Sequence, residues 1–190
     1  LAFDYSQIEI RVLAQISGDE LLIKQLNRAG TDAAEAKRKN LDIHCQVGHT
    51  LTGWSVERIA EDKVTRRNVK ELHFAIVFGT SKSGLYDQLR AKGVKIKRAE
   101  SDRLYDVYFA KYKGVRRYIN NQRARVEREG AVSSMFGFVR PIDTTDERVQ
   151  DTNRATYWGN QAVNTPIQAS AHELVLIALA ILNSEPEEYD

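Results

Sequence analysis

"TRRNVKELHFAIVFGTS", residues 65–81, is the stretch on which the reading of the chain turns. Arg66, Lys70, Phe74 and Phe78 recur every four residues, two cations followed by two rings, inside a run that predicts a helix from about Asp62 to Phe78 ended by Gly79. Helical residues turn by about 100° and rise about 1.5 Å each, so Arg66, Lys70 and Phe74 line up within about 80° over roughly 12 Å. Phe78 drifts to about 120° from Arg66 and faces elsewhere. Cations bind phosphate oxygens by charge-assisted hydrogen bonds, and a ring offers a face to a flat base. The stripe has the length and polarity of a nucleoside triphosphate laid along a helix. Taken alone, it reads first as an amphipathic helix with Phe74, Ile76, Val77 and Phe78 in the core and its charges in water.

Working outward, the composition is that of an ordinary soluble chain. Its 190 residues are 42% hydrophobic and 28% charged, enough for a full core in one domain with room for two lobes. No apolar run is read as long enough to span a bilayer, and no basic-then-apolar segment opens the chain, so neither a membrane partner nor export is expected. The single cysteine, Cys45, excludes an internal disulfide framework or a cysteine-based zinc site and reads as a small buried residue. Net charge is only +2, yet Arg90–Arg128 is strongly basic, with Tyr105, Tyr108, Phe109, Tyr112 and Tyr118 interleaved. Such a segment suits a polyanion; it also reads as a solvated helix whose rings face the core.

Prolines occur only at 141, 166 and 186, so most of the chain is free to be helical. "LAFDYSQIEIRVLAQISGDE" predicts a strand end, a turn at Asp4 to Ser6, and a helix stopped by Gly18. A second helix covers about 20–28, a loop or frayed helix follows, and "DIHCQVGHTLTG" predicts a helix capped by Asp42. Residues 98–129 read as one long helix or a pair broken near Gly114, "GAVSSMFGFVRPID" as a hairpin, and 151–183 as a helical block around Pro166. The fold class is mostly α with a small β component. Asp4, between an apolar strand and a helix, is placed to hold Mg²⁺; an aspartate in that position is also a common helix cap. Glu9 lies off its line and makes a doubtful metal partner.

Together these stretches resemble a known family. "DYSQIEIRVLAQISGD" resembles motif A of family A DNA polymerases, and "RRNVKELHFAIVFGTS" resembles their motif B, the fingers helix that receives the incoming nucleotide. "DIHCQV" resembles the family's Asp-Ile-His segment, and "NQAVNTPIQASAHELV" its Asn-x-Pro-x-Gln helix. The resemblance implies the fingers and adjoining palm pieces of a right-hand polymerase: a palm segment over 1–20, fingers over 21–150 including the helix 62–79, and a palm helix over 151–190. It implies DNA synthesis by nucleotidyl transfer from a dNTP to a primer 3′-hydroxyl, with two Mg²⁺ ions. The implied partners are primer–template DNA, dNTP and the remaining thumb and palm segments, in the cytoplasm of a bacterial or phage-infected cell.

Residue by residue, the resemblance implies that Asp4 and the backbone carbonyl of Tyr5 are metal ligands. Glu9 would be the steric gate against a 2′-hydroxyl. Arg66, Lys70 and His44 would reach the triphosphate, with Gln7 in the same pocket and Lys70 also a general acid. Phe74 would pack on base and sugar, and its being phenylalanine implies discrimination against dideoxynucleotides. Phe78, where the family usually has tyrosine, would stack at the templating position. Asn164 and Gln168 would contact primer–template, and Arg140 is a weaker match to a DNA-contacting arginine. His73 and Ala75 depart from the frequent Asn and Gly. The family's motif C, with the second metal aspartate, is not matched before Asp190, so the chain alone is expected to polymerise poorly or not at all. Three other readings are a non-catalytic nucleic-acid-binding module, a fragment of a single-subunit RNA polymerase, against which the glutamate at position 9 speaks, and a plain helical structural domain.

Overall fold

Gly18 and Asp19 show how local chemistry sets the first elements of this computed structural model, which describes residues 5–39, 41–145 and 154–184. α1 (Ile8–Ser17) buries Ile10, Val12, Leu13 and Ala14, and Gly18 closes its last turn at φ 58° with its N–H on the Ala14 carbonyl. Asp19 then caps α2 (Glu20–Ala29), accepting from the Leu22 N–H at 3.0 Å. The polar stretch that follows carries a short α3 (Ala33–Arg38). The Asp42 carboxylate accepts from the His44 and Cys45 amides and starts α4 (Ile43–Thr52). Gly48 lets α4 lie close against α5 (Val56–Glu61) and the next helix, α6 (Lys63–Val77): a Cβ there would meet Ile59 at 3.0 Å and Val69 at 3.1 Å.

α6 (Lys63–Val77) is capped by Asp62, which accepts from the Val64 and Thr65 amides. It buries Val69, Leu72, His73, Ile76 and Val77, leaving Arg66, Lys70 and Phe74 along another face. The helix ends where Gly79 turns left-handed at φ 82°, and the Thr80 N–H closes back on the Ala75 carbonyl at 3.1 Å. From α9 (Lys113–Glu129) the Arg123 guanidinium donates to the Gly79 carbonyl at 2.7 Å, pinning this turn. α7 (Lys82–Ala91), α8 (Arg98–Lys111) and α9 (Lys113–Glu129) follow. The hairpin pairs β1 (Ala131–Ser133) with β2 (Val139–Pro141), Val132 opposite Arg140. α10 (Arg154–Ser184) carries Pro166 within it.

One large core joins α1, α2, α4 and α6 to α10, including Leu13, Leu22, Ile43, Leu72, Ile76, Tyr112 and Ile167. A satellite core of Val126, Val132, Ile142 and Ala162 seats the hairpin on α9 and α10. The mostly helical class with a small sheet is what the sequence predicts. The 98–129 stretch is a pair of helices that breaks at Tyr112 (φ −95°, ψ 69°), near Gly114 as expected, and Gly114 itself lies inside α9. The strand end and Asp4 lie outside the described residues. Tyr108, Phe109, Tyr112 and Tyr118 of the basic segment are buried, so those rings fill the core while the cations around them face water.

One expectation is corrected. Tyr157–Ser184 of α10 is long and apolar enough, by length and composition, to cross a membrane. Mean hydropathy does not distinguish a core-packing face from a lipid-facing one, and the run escaped notice because Asn160, Gln161, Asn164 and Gln168 interrupt it. In the fold Ala162, Val163 and Ile167 are buried, whereas Leu176, Ile177, Leu179, Ile181 and Leu182 form an exposed apolar face.

Candidate functional site

Four helices that are far apart in the chain converge on one cleft of about 700 Å³. The start of α1 contributes Tyr5, Gln7 and Glu9; α4 and its cap contribute His44 and Asp42; α6 contributes Arg66, Lys70 and Phe74; α10 contributes Gln168 and His172. The turn before α1 is held by Arg11, whose Nε donates to the Ser6 carbonyl at 3.0 Å. Gln7 takes φ 58°, the one left-handed non-glycine among the described residues; such a residue costs about 1–2 kcal/mol, a strain tolerated where neighbours hold it.

The electrostatics centre on a partly buried ion pair. Arg66 Nη2 donates to Asp42 Oδ2 at 2.8 Å, so Asp42 caps α4 with one oxygen and orients Arg66 with the other. Burial works to raise the Asp42 pKa, but the Arg66 hydrogen bond, the nearby His44 and the Cys45 amide outweigh it and hold the carboxyl below its usual range. Burial pushes the His44 pKa down to about 4; Asp42 opposes this, and Arg66 and Lys70 reinforce it. Burial alone raises the Glu9 carboxyl, which has no hydrogen-bond partner among the described residues. Cys45 is buried and its thiol pushed up to about 11, first by burial, so it is no nucleophile at neutral pH.

Phe74 stands at the centre of the aromatic lining. Its ring lies 5.7 Å from His44 and 5.7 Å from Phe78, with Lys70 Nζ 5.7 Å from its centroid. Phe78 does not line the first cleft. It faces a second cleft of about 530 Å³ with Thr80, Gln88, Asn160 and Asn164, and Lys70 and Phe74 border both. Residue 78 thus stands apart from Arg66, as its angular drift requires, and Asn164 stands apart from Gln168. Arg140 lies outside both clefts and donates to Thr165 Oγ1 at 3.2 Å and Gln161 Oε1 at 3.3 Å. Asp4, the expected metal ligand and catalytic residue, lies outside the described residues. Among those described, no three His, Cys, Asp or Glu side chains gather as a metal set. The donors that do line the cleft mouth, at Tyr5, Ser6, Gln7 and Glu9, are hard oxygens of the kind Mg²⁺ prefers.

Sequence reasoning missed the parts that Asp42 and His172 play in the cleft. Asp42 was read only as a cap, although it is also the partner of Arg66. His172 lies four residues beyond Gln168, one helical turn on the same face, and that spacing was the available signal.

A cleft that sets two cations and a ring on one helix opposite a glutamate on another belongs to a recognisable class. The chain is a member of the family A DNA polymerases: residues 1–189 match DNA polymerase family A. It is similar to DNA polymerase I of Bacillus caldotenax, 34% identical over 98% of this chain and 19% of the relative. It is also similar to DNA polymerase I of Chloroflexus aurantiacus, 37% identical over 94% of this chain and 17% of the relative. Among solved structures it is similar to the POL domain of Pol1 from M. smegmatis in complex with DNA primer–template and dNTP. That likeness has a TM-score of 0.71 at 27% identity, covering 90% of this chain and 27% of that one. The chain therefore spans about a fifth of the length of these curated relatives.

Proposed function

We propose that this chain carries the incoming-nucleotide site of a DNA-directed DNA polymerase, with fingers over 21–150 between palm segments at 1–20 and 151–190. The observation that supports this is the convergence of Glu9, His44, Arg66, Lys70, Phe74 and Gln168 on one cleft. Arg66 and Lys70 bind the triphosphate, with His44 and Gln7 beside them, and offset charge on the leaving pyrophosphate. Lys70 is placed to give that group a proton. Phe74 packs on base and sugar, and Glu9 crowds the sugar where a 2′-hydroxyl would sit. Phe78 and Asn164 face the template side from the second cleft, with Gln168 and Arg140 toward the DNA. Asp4 and the Tyr5 carbonyl would hold Mg²⁺, which would supply charge neutralisation on the phosphates.

The proposed partners are primer–template DNA, dNTP and further polymerase segments. The exposed apolar face of Leu176, Ile177, Leu179, Ile181 and Leu182 supports the last of these, as does the chain's small share of its relatives' length.

Two measurements test this reading. In isothermal titration of the chain with dATP and Mg²⁺, Lys70→Ala should weaken binding by about 10- to 100-fold, the worth of one charged hydrogen bond. Lys70 is exposed and makes no ion pair among the described residues, so its loss should leave the fold intact. Unchanged affinity in the variant would remove the triphosphate role. In primer extension by a polypeptide that includes this chain, Glu9→Ala should raise rNTP over dNTP use by about tenfold or more. An unaltered sugar preference would take the gate away from Glu9.

A further inference from the structure

Beside His44, a cleft residue, lies a row of buried polar atoms without partners. His73 of α6 is fully buried, and neither of its ring nitrogens has a hydrogen-bond partner; the same holds for His44 Nδ1 and the Tyr108 hydroxyl. The three rings form a file. His44 and His73 are 5.7 Å apart between centroids at 76°, and His73 and Tyr108 are 5.7 Å apart at 49°. His44 Nε2 is not among the buried, unpartnered atoms, and His44 lines the cleft, so Nδ1 is the buried end of a ring that packs beside His73.

Both imidazoles are neutral at physiological pH. Burial pushes the His73 pKa down to about 3, helped by His44, and that of His44 to about 4. The charged groups around the pair are Asp42 at the start of α4 and Arg66 and Lys70 on α6; α8 adds only the Tyr108 phenol. A neutral imidazole has one nitrogen that donates and one that accepts, and the partner of one decides the state of the other. If Nδ1 of His44 accepts, its Nε2 must carry the hydrogen.

We propose that His73 is a positioning residue for nucleotide binding: across one bridging water, or after a small turn of the rings that closes the gap between them, it gives its ring N–H to His44 Nδ1, and so fixes His44 with Nε2–H in the cleft as a neutral donor to a phosphate oxygen. The Tyr108 hydroxyl donates to the other nitrogen of His73 and completes the row. Each buried atom then has a partner, which removes the full desolvation cost that an unmade bond carries. The phosphate role of His44 rests on the function proposed above; the tautomer does not.

The tautomer is read directly from two-bond ¹H–¹⁵N correlations of the ¹⁵N-histidine-labelled chain at pH 7 without nucleotide, with His44 assigned through His44→Gln. The expected result is Nε2–H with an unprotonated, hydrogen-bonded Nδ1. His73→Leu should mix the two tautomers and weaken dATP binding several-fold, and His73→Asn, which keeps an N–H donor, should recover most of both. An Nδ1–H tautomer in the wild-type chain overturns the proposal, as does an undisturbed Nε2–H tautomer in folded His73→Leu. Should His73→Leu not fold, the wild-type spectrum and His73→Asn decide. A chain that shows the expected tautomer but binds no dATP overturns the polymerase reading and leaves the contact between the two histidines standing.

Discussion

Asp19→Ala should lower the stability of the chain by about 3–7 kcal/mol, read from urea unfolding. The carboxylate is 3% exposed and serves two helices at once. Oδ1 accepts from the Leu22 N–H at 3.0 Å, capping α2. Oδ2 accepts from the amides of Gly114 at 2.7 Å and Val115 at 3.2 Å, in the first turn of α9. Losing a cap costs about 1 kcal/mol, and each buried amide left without an acceptor costs about 1–3 kcal/mol more. The negative charge also faces two helix N-termini, where it is favoured. Asn at 19 keeps one acceptor oxygen and should lose less.

The same joint explains why position 114 is glycine. A Cβ there would lie 2.6 Å from the Asp19 Cα and 2.9 Å from its backbone N. Backbone atoms at that distance cannot swing aside as a flexible side chain would, so Gly114→Ala should destabilise in the same direction. A loss below about 1 kcal/mol for Asp19→Ala would mean that water satisfies the amides of α9 instead. Because α1 leads directly into Asp19, loosening this joint should also disturb Glu9 and Gln7 at the cleft.

Acidification from pH 7 to pH 4 should remove on the order of 5 kcal/mol of stability through His44 and His73. In the unfolded chain both take up a proton near their ordinary value of 6.5, whereas in the fold they hold it off to about 4 and about 3. Between those limits the unfolded state binds more protons, so stability rises with pH; the contribution is complete above 6.5 and falls away as pH drops toward 4. The slope of unfolding free energy against pH should approach two protons, about 2.7 kcal/mol per pH unit. His73→Asn should reduce it to about one. A flat profile between pH 6.5 and 4 in the wild-type chain would mean that the two rings are hydrated in the fold.

Much of this molecule is legible in the chain because helix boundaries are local events. Gly18, Asp42, Asp62 and Gly79 mark helix ends through bonds to residues two to four positions away, and apolar spacing marks the buried face of α1. α5 was not read because it is a single short stretch before the stronger signal of α6; α7, as long as α1, carries only Leu85 and Leu89 as its buried apolar residues. The tyrosines of the basic segment were ambiguous because spacing gives an angle around a helix but not the neighbour it meets. The file of Arg66, Lys70 and Phe74 is likewise intrinsic to one helix, as is the departure of Phe78 from it.

Packing decided the rest. Glu9, His44, Arg66 and Gln168 share a cleft only because α1, α4, α6 and α10 bury a common core. The double duty of Asp42, the bridge from Asp19 to α9 and the row of His44, His73 and Tyr108 all join segments that no local rule connects. By itself the sequence determined which residues each helix presents and where each helix stops, since those follow from backbone geometry over a single turn. The tertiary structure alone decided which of those faces meet, since that depends on the shape and burial of surfaces distant along the chain.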